Sequence, residues 1–336
     1  MFFVVVLIVV SFMVWRYYWK IQLMFNSAGT SMYTPESFTS FDVNMQNKLT
    51  QTFIGGKKIA QRKGIIFTGL LRDAASNITA IRKKIERVGS AFRDYRVLLV
   101  ENNSNDDTRA KLLQWVHENP RVTILGCGVN ARKCNFTSGS ASKATEGHSV
   151  YRSRIEKMVN LRNIYIQYIK DNAEEFNSSI YDYTAVWDLD TISITYIDGI
   201  FDTIYQMSLS SNSNVSAVCA HGIYRWLGVL PIYYDTYAHL DIDGYFHIDN
   251  KLWHDIVTGI TKGVGYTRGS PLVFVKSCFS GFTIYRSRDL MTPNVKYTMT
   301  PVETGNLECE HVRFNETLPG RVAMNPNMIN LVLHNK

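Results

Sequence analysis

The chain has 336 residues, enough for two domains or one large α/β unit at about 150 residues per domain, and this excludes a mini-scaffold. Apolar residues make up 46% and charged residues 19%, with 21 Gly and 8 Pro, so wholesale disorder and the collagenous or low-complexity classes are out. Lys plus Arg at 36 against Asp plus Glu at 29 leaves +7 without a block of like charge, which gives nucleic-acid binding no support.

Residues 2–15, FFVVVLIVVSFMVW, carry one polar residue, Ser11, and are followed by Arg16, Tyr17, Tyr18, Trp19 and Lys20. Fourteen helical residues reach about 21 Å against a hydrocarbon core of roughly 30 Å, so spanning needs the aromatic residues at the interface and Arg16 snorkelling outward. There is no basic stretch before the run and no small-x-small cleavage site, so residues 1–25 are expected to form an uncleaved, single-pass anchor of an endoplasmic-reticulum or Golgi type of membrane. Arg16 and Lys20 follow the run and by the positive-inside rule favour a cytoplasmic domain, leaving the side open. Residues 26–62, rich in Ser, Thr and Asn without a period, are expected to be a stalk, and a compact domain is expected over 63–336.

GIIFTGLL at 64–71 is an apolar run of the kind a buried parallel strand needs. Ile78, Ile81, Ile85, Val88 and Phe92 then recur at helical spacing behind Ser76, a candidate cap. RVLLV at 96–100, a helix over about 107–118 stopped before Pro120, and RVTIL at 121–125 repeat the pattern. This βαβαβ grammar predicts a mostly parallel sheet flanked by helices, with its ligand crevice outside the carboxyl ends of the strands.

Residues with chemistry follow those strands. After the second comes Glu101-Asn102-Asn103-Ser104-Asn105-Asp106-Asp107-Thr108, and after YTAVW at 183–187 comes Asp188-Leu189-Asp190. No G-x-G-x-x-G or G-x-x-x-x-G-K-[ST] is present, so the glycine cradles for phosphate are unsupported. Paired carboxylates at a strand end offer another route: they can hold a divalent ion that neutralises a diphosphate. A helix over about 150–171 carries Ile155, Met158, Val159, Ile166 and Ile169 on one stripe with Arg162 among them. A buried arginine needs an anion, either a core acid such as Asp188 in a structural pair or, with Asn163, a donor-site group.

These features, from the strand exit at Thr68–Asp73 to W-D-L-D, resemble a GT-A-type (Rossmann-like) glycosyltransferase over roughly 63–330. Tyr233-Tyr234-Asp235-Thr236-Tyr237-Ala238, Ser277-Cys278-Phe279-Ser280-Gly281 and Glu308-Cys309-Glu310-His311 resemble motifs of the capsule-associated α-1,3-mannosyltransferases. The resemblance implies transfer of a hexose, such as mannose, from a nucleotide-diphosphate sugar to a glycan or glycoconjugate, with Mn2+ or Mg2+, and leaves retention or inversion open. It places Glu101, Thr68, Arg72 and Asn103 at the nucleoside, Arg162 and Asn163 in support, Asp188 at the ribose or sugar and Asp190 on the metal. It adds His311 as second metal ligand beside Asp188, and Glu310 or Glu308 as base or sugar-contacting carboxylate. The generic family has a leading Asp where this chain has Glu101, so the nucleotide is not fixed. The alternatives are a sugar nucleotidyltransferase, for which TGLLRDAAS is short of Gly and basic residues, and a catalytically silent, membrane-tethered carbohydrate-binding protein.

His239, Asp241, Asp243, His247 and Asp249 alternate and could set several ligands on one strand face, or form the polar rim of a long aromatic stretch over 239–271 suited to an acceptor sugar. Five cysteines, at 127, 134, 219, 278 and 309, show no C-x-x-C pair and are expected to be buried thiols, with a Cys127–Cys134 bridge left open. Six N-x-[ST] sequons occur, at Asn77, Asn102, Asn135, Asn177, Asn214 and Asn315. A glycan on Asn102 would block the proposed donor loop, which favours a cytoplasmic face or an unused sequon.

Overall fold

The computed structural model describes residues 43–126, 148–226, 230–243, 266, 268–300 and 308–334. The anchor expected over 1–25 and the Cys127–Cys134 bridge lie outside them. Among the described residues no helix is long and apolar enough to cross a membrane.

Helix α1 (Val43–Ala60) precedes strand β1 (Gly64–Leu71), helix α2 (Ile78–Gly89), strand β2 (Asp94–Glu101), helix α3 (Thr108–Glu118) and strand β3 (Val122–Leu125). Helix α4 (His148–Asp171), strands β4 (Tyr183–Trp187) and β5 (Ile192–Thr195), and helix α5 (Ile197–Ser208) follow. The chain then forms β6 (Val215–Trp226), β7 (Leu230–Tyr233), β8 (Val273–Val275), β9 (Phe282–Arg286), two short helices α6 (Ser287–Leu290) and α7 (Glu310–Asn315), and β10 (Arg321–His334).

The strands form one sheet in the order β3-β2-β1-β4-β9-β6-β10-β5, with β7 beside β6 and β8 beside β10. The half made of β3, β2, β1 and β4 is parallel as predicted. Strand β9, however, runs antiparallel to both β4 and β6, and β5, β7 and β8 are antiparallel as well, so the sheet is mixed rather than mostly parallel. The cause is local: β9 starts where β4 stops, Phe282 opposite Trp187, and therefore runs back toward the sheet's other end.

Alternate residues of the central strands feed two cores. Ile65, Phe67, Val97, Leu99, Ala185 and Trp187 pack with Ile78, Ile81, Ile85 and Val88 of α2 and Ile200, Phe201 and Ile204 of α5. Ile66, Leu98, Val100 and Val186 face Ile155, Val159, Ile166 and Ile169 of α4 on the other side. The cap of α2 is Asn77 rather than Ser76, and Phe92 lies beyond the helix, still buried.

Within the stretch expected to be a stalk, α1 is a docked helix. Phe53 meets Phe201 edge-on at 5.6 Å, and a Cβ on Gly56 would fall 1.7 Å from the Phe201 carbonyl oxygen. Cysteine reading also changes: Cys219 of β6 and Cys278 form a disulfide, where buried thiols were expected, and Cys309 is a buried free thiol. The two half-cystines are 59 residues apart, and the antiparallel pairing of β6 with β9, which Cys278 precedes, brings them together.

Candidate functional site

The carboxyl ends of β1, β2 and β4 share one edge of the sheet, and the turn entering β9 joins them there. The Asp188 amide donates to the Gly281 carbonyl at 2.9 Å, so the Asp-Leu-Asp loop is laced to the 279–281 turn. Ser280 at φ 55° and Gly281 at φ 74° are both left-handed, and a Cβ on Gly281 would come within 2.8 Å of Asn330 Nδ2. Asn330 Nδ2 donates to the Ser280 carbonyl at 3.0 Å, and Asn330 Oδ1 accepts from Thr195 Oγ1 at 2.8 Å. A strained turn is thus held from the far side by β10.

Arg162, 3% exposed, is the hub of the site. Its Nε donates to Glu310 Oε1 at 3.1 Å and its Nη2 lies 3.5 Å from Asp188 Oδ1. The guanidinium also sits over Phe279 at 5.1 Å and Tyr297 at 5.8 Å. Both readings of this arginine start from the same fact: it pairs with a core acid, and that acid opens the Asp-Leu-Asp loop. Glu310 is buried at the first turn of α7.

Charge is unbalanced here. Burial, opposed by Arg162 and reinforced by Asp190 and Glu310, pushes the Asp188 carboxyl up from 3.8 to about 7. Asp235, which follows β7, is pushed up from 3.8 to about 8 by burial and by the charges of Asp188 and Glu310. Asp190 is exposed at the mouth. Two carboxylates, Asp188 and Glu310, therefore share one guanidinium, and the charges of Asp190 and Asp235 are felt within the same cluster. Among the described residues no group of three His, Cys, Asp or Glu side chains is already disposed as a metal cage.

Asp235 was not singled out from the sequence. It has φ 71°, its Oδ2 accepts from the Ser280 amide at 3.2 Å, and Tyr233 beside it bonds Ser280 Oγ at 2.5 Å. The signal was the Tyr233–Ala238 and Ser277–Gly281 motifs, read separately when in space they are one unit.

Several expected donor residues are engaged otherwise. Glu101, fully buried, accepts from Arg109 Nε at 2.7 Å and from the Ser104 amide at 2.6 Å, so it braces the loop after β2 instead of facing a nucleoside. Thr68 is fully buried inside β1 with its hydroxyl unpartnered among the described residues, and it presents no surface to a ligand. Asn163 exchanges two 2.9 Å bonds with the Tyr297 backbone, a clamp on the segment before α7. Arg72 stands exposed at the exit of β1, 3.3 Å from Asp73, and Asn103 holds a left-handed φ of 51° in the second loop. These two lie in the loops after β1 and β2, at the carboxyl ends of those strands. The two loops are tied by Asp73 and Ser104, with the Asp73 amide on Ser104 Oγ at 3.0 Å and the Asn105 amide on Asp73 Oδ1 at 2.7 Å.

The late residues separate. Helix α7 starts at Glu310, so Glu308 lies before it and shares no helical face with His311; it pairs with Arg313 at 3.7 Å. His311 is buried and stacked on Phe279 at 3.8 Å, with burial and Arg162 pushing its pKa well down. Its ring is a neutral packing element, not a side chain presented to the mouth: neither nitrogen has a hydrogen bond among the described residues, and Nε2 lies 4.0 Å from Glu310 Oε1. His239 bonds Tyr233 through Nδ1 at 3.3 Å and Asp241 through Nε2 at 3.0 Å, so both ring nitrogens are engaged within this loop. His247 and Asp249 lie outside the described residues.

A cavity of about 370 Å3 lies at the opposite end of the sheet, lined by Lys63, Asp182, Tyr183, Met207 and Arg286. It is a strand's length, about 16 Å, from Asp188. Lys63 is paired with Asp182, and Arg286 is bound to the carbonyls of Val215, Met207 and Asn212, so this space holds no free charge chemistry of the kind gathered at Arg162.

The sequence model of a family described as Cryptococcal mannosyltransferase 1 matches residues 71–315. No curated protein matches the chain in sequence. Among solved structures, S. aureus TarS 1-349 aligns with 81% of this chain and 60% of that one, at 11% identity and a TM-score of 0.42. The mannosyltransferase PcManGT from Pyrobaculum calidifontis, in complex with GDP-Man and Mn2+, aligns with 87% of this chain and 69% of that one, at 12% identity and a TM-score of 0.42. GalNAc-T7 with UDP, GalNAc and Mn2+ aligns with 82% of this chain and 44% of that one, at 9% identity and a TM-score of 0.44. The chain thus spans less than two thirds of the TarS 1-349 and GalNAc-T7 chains it aligns with.

Proposed function

The chain belongs to the Cryptococcal mannosyltransferase 1 family and is a glycosyltransferase, and from that membership we propose that it transfers a hexose, mannose foremost, from a nucleotide-diphosphate sugar to a glycan or glycoconjugate acceptor. The observation that carries the reading is the pairing of Asp188 and Glu310 with one buried guanidinium, with Asp235 feeling the charge of both and Asp190 exposed beside them.

Asp190 and Asp188 would hold a divalent cation, Mn2+ or Mg2+, whose part is to neutralise the diphosphate as it leaves. Arg162 fixes the rotamers of Asp188 and Glu310, so both carboxylates are aimed before substrate arrives and reorganise little during reaction. Glu310, held by that arginine, stabilises positive charge developing at the sugar. Asp235 stands beside both and takes the proton of the acceptor hydroxyl. Arg72 and Asn103 contact the nucleotide at the rim. Residues 1–25 tether the domain to a membrane, and the aromatic stretch over 239–271 receives the acceptor.

The test is transfer by the purified domain from a panel of nucleotide sugars with Mn2+. Turnover with one donor, lost with chelator and in Asp190→Asn, supports the reading. Sugar transfer that proceeds unchanged in Asp190→Asn refutes the metal assignment, and glycan binding without turnover on any donor favours the silent carbohydrate-binding form.

A further inference from the structure

The six sequons divide by position in the fold. Asn315 is buried, and its Nδ2 donates to Ser277 Oγ at 3.0 Å and the Cys278 carbonyl at 3.3 Å, so it is closed in the folded chain. Asn102 is buried in the loop after β2, and Asn77 sits half-buried at the start of α2; both are at the crevice end. Asn135 lies outside the described residues. Asn177 and Asn214 are exposed. Asn177 occupies the turn that leads into β4, its Oδ1 accepting from the Ser179 amide at 2.8 Å, and Asn214 immediately precedes β6. Strands β4 and β6 run in the same direction, each antiparallel to β9 between them, so both asparagines lie at the end of the sheet remote from Asp188 and Asp235.

An independent feature points to the compartment. The Cys219–Cys278 disulfide is fully buried and ties β6 to the segment that becomes the Ser280–Gly281 turn. A bond of this kind forms and lasts in an oxidising environment, where a disulfide carrier accepts the two electrons and two protons that the thiols give up. Cytosolic glutathione would keep such a pair reduced.

We propose that the catalytic domain folds in an oxidising lumen and carries N-linked glycans at Asn177 and Asn214, on the face turned away from the crevice. In the modification, the Asn Nδ2 attacks C1 of an oligosaccharide joined to a polyprenyl diphosphate; the N–C bond forms, the C–O bond breaks, the polyprenyl diphosphate leaves and the amide proton passes to the transferring enzyme's base. This reverses the membrane side that Arg16 and Lys20 favour by charge alone. Glycans at this end leave the donor loops and the Arg162 cluster unobstructed.

The full chain, expressed in cells with a glycosylating secretory route, is digested with peptide N-glycosidase and compared on gels. The expected result is a mobility shift that N177Q and N214Q each reduce by one step and that the double variant reduces by two, with sugar transfer by the double variant retained. In the same sample, denatured without reductant, Cys219 and Cys278 resist a maleimide and react after reduction. A wild-type chain insensitive to the glycosidase, a shift unaltered in the double variant, or ready labelling of Cys219 and Cys278 without reductant overturns the proposal.

Discussion

Arg162→Met is the most informative single perturbation of the site. The substitution keeps much of the side-chain volume against Phe279 and Tyr297 but leaves Glu310, 5% exposed, and Asp188 without their shared countercharge. Removing one partner of a buried pair costs about 3–5 kcal/mol. For a domain of this size that is roughly a 5–9 °C fall in Tm. The pH dependence has a definite sign. Asp188 is already pushed from 3.8 up to about 7, so its charged form is penalised in the fold above about pH 7, and the penalty disappears as the pH falls toward 4. Losing Arg162 enlarges that penalty, so the variant's deficit is greatest at pH 7.5 and narrows at pH 5. Glu310→Gln should lose only about 1–2 kcal/mol, because Arg162 keeps Asp188. Urea unfolding followed by tryptophan fluorescence at the two pH values measures all of this. A loss below about 1 kcal/mol at pH 7.5, or an equal loss at both pH values, would refute the view of Arg162 as the charge hub.

Two further predictions concern the frame. Lys84, over the Trp187 ring at 4.4 Å, is lowered by burial from 10.5 to about 8, so its charged form is disfavoured in the fold below pH 8 and the penalty fades as pH rises to 10.5. That difference is worth about 3 kcal/mol, the ring returns about 2, and Lys84→Met should therefore stabilise the protein by about 1 kcal/mol at pH 7, with the gain gone by pH 10 in denaturant titrations. A destabilised Lys84→Met at pH 7 would contradict this sign. Gly56→Ala forces a methyl into the Phe201 backbone and should lower stability by about 1–3 kcal/mol while Ile54→Ala, on the exposed side of the same helix, changes it little. Equal, negligible effects in thermal melts would show α1 to be undocked.

The parallel half of the sheet was legible because its strands are buried on both faces and so appear as unbroken apolar runs: β1, β2, β3 and β4 fall where GIIFTGLL, RVLLV, RVTIL and YTAVW predict. Helices α2 and α4 carried their own period, and α3 was marked by its place between two strands and the stop before Pro120. The antiparallel half was not legible, since β9 is placed by a left-handed turn at Ser280 and Gly281 whose partner, Asn330, is 50 residues away. Helix α1 was missed because what docks it is the absence of side chains at Gly55 and Gly56, which reads as weak helix and stalk. Arg162 and Asp188 were readable as a pair from one stripe and one strand end, whereas Glu310 lies 148 residues from Arg162 and its motif gave no hint of which acid would turn inward. Glu101 and Asn163 were assigned to ligand because their types suit one; both are committed to neighbouring backbone that only the folded loops bring near. The disulfide was missed for the same reason, since spacing in the chain says nothing about the pairing of β6 with β9 that brings Cys278 beside Cys219.

Binding of GDP and of UDP to the purified domain, measured calorimetrically with Mn2+ and with chelator, for the wild type and Asp190→Asn, bears most directly on the paired-aspartate site. Tight binding of one nucleotide that requires Mn2+ and weakens by about tenfold or more in Asp190→Asn is the predicted result. Binding of equal strength in chelator, or undiminished in Asp190→Asn, would contradict a cation held between those aspartates and the donor diphosphate.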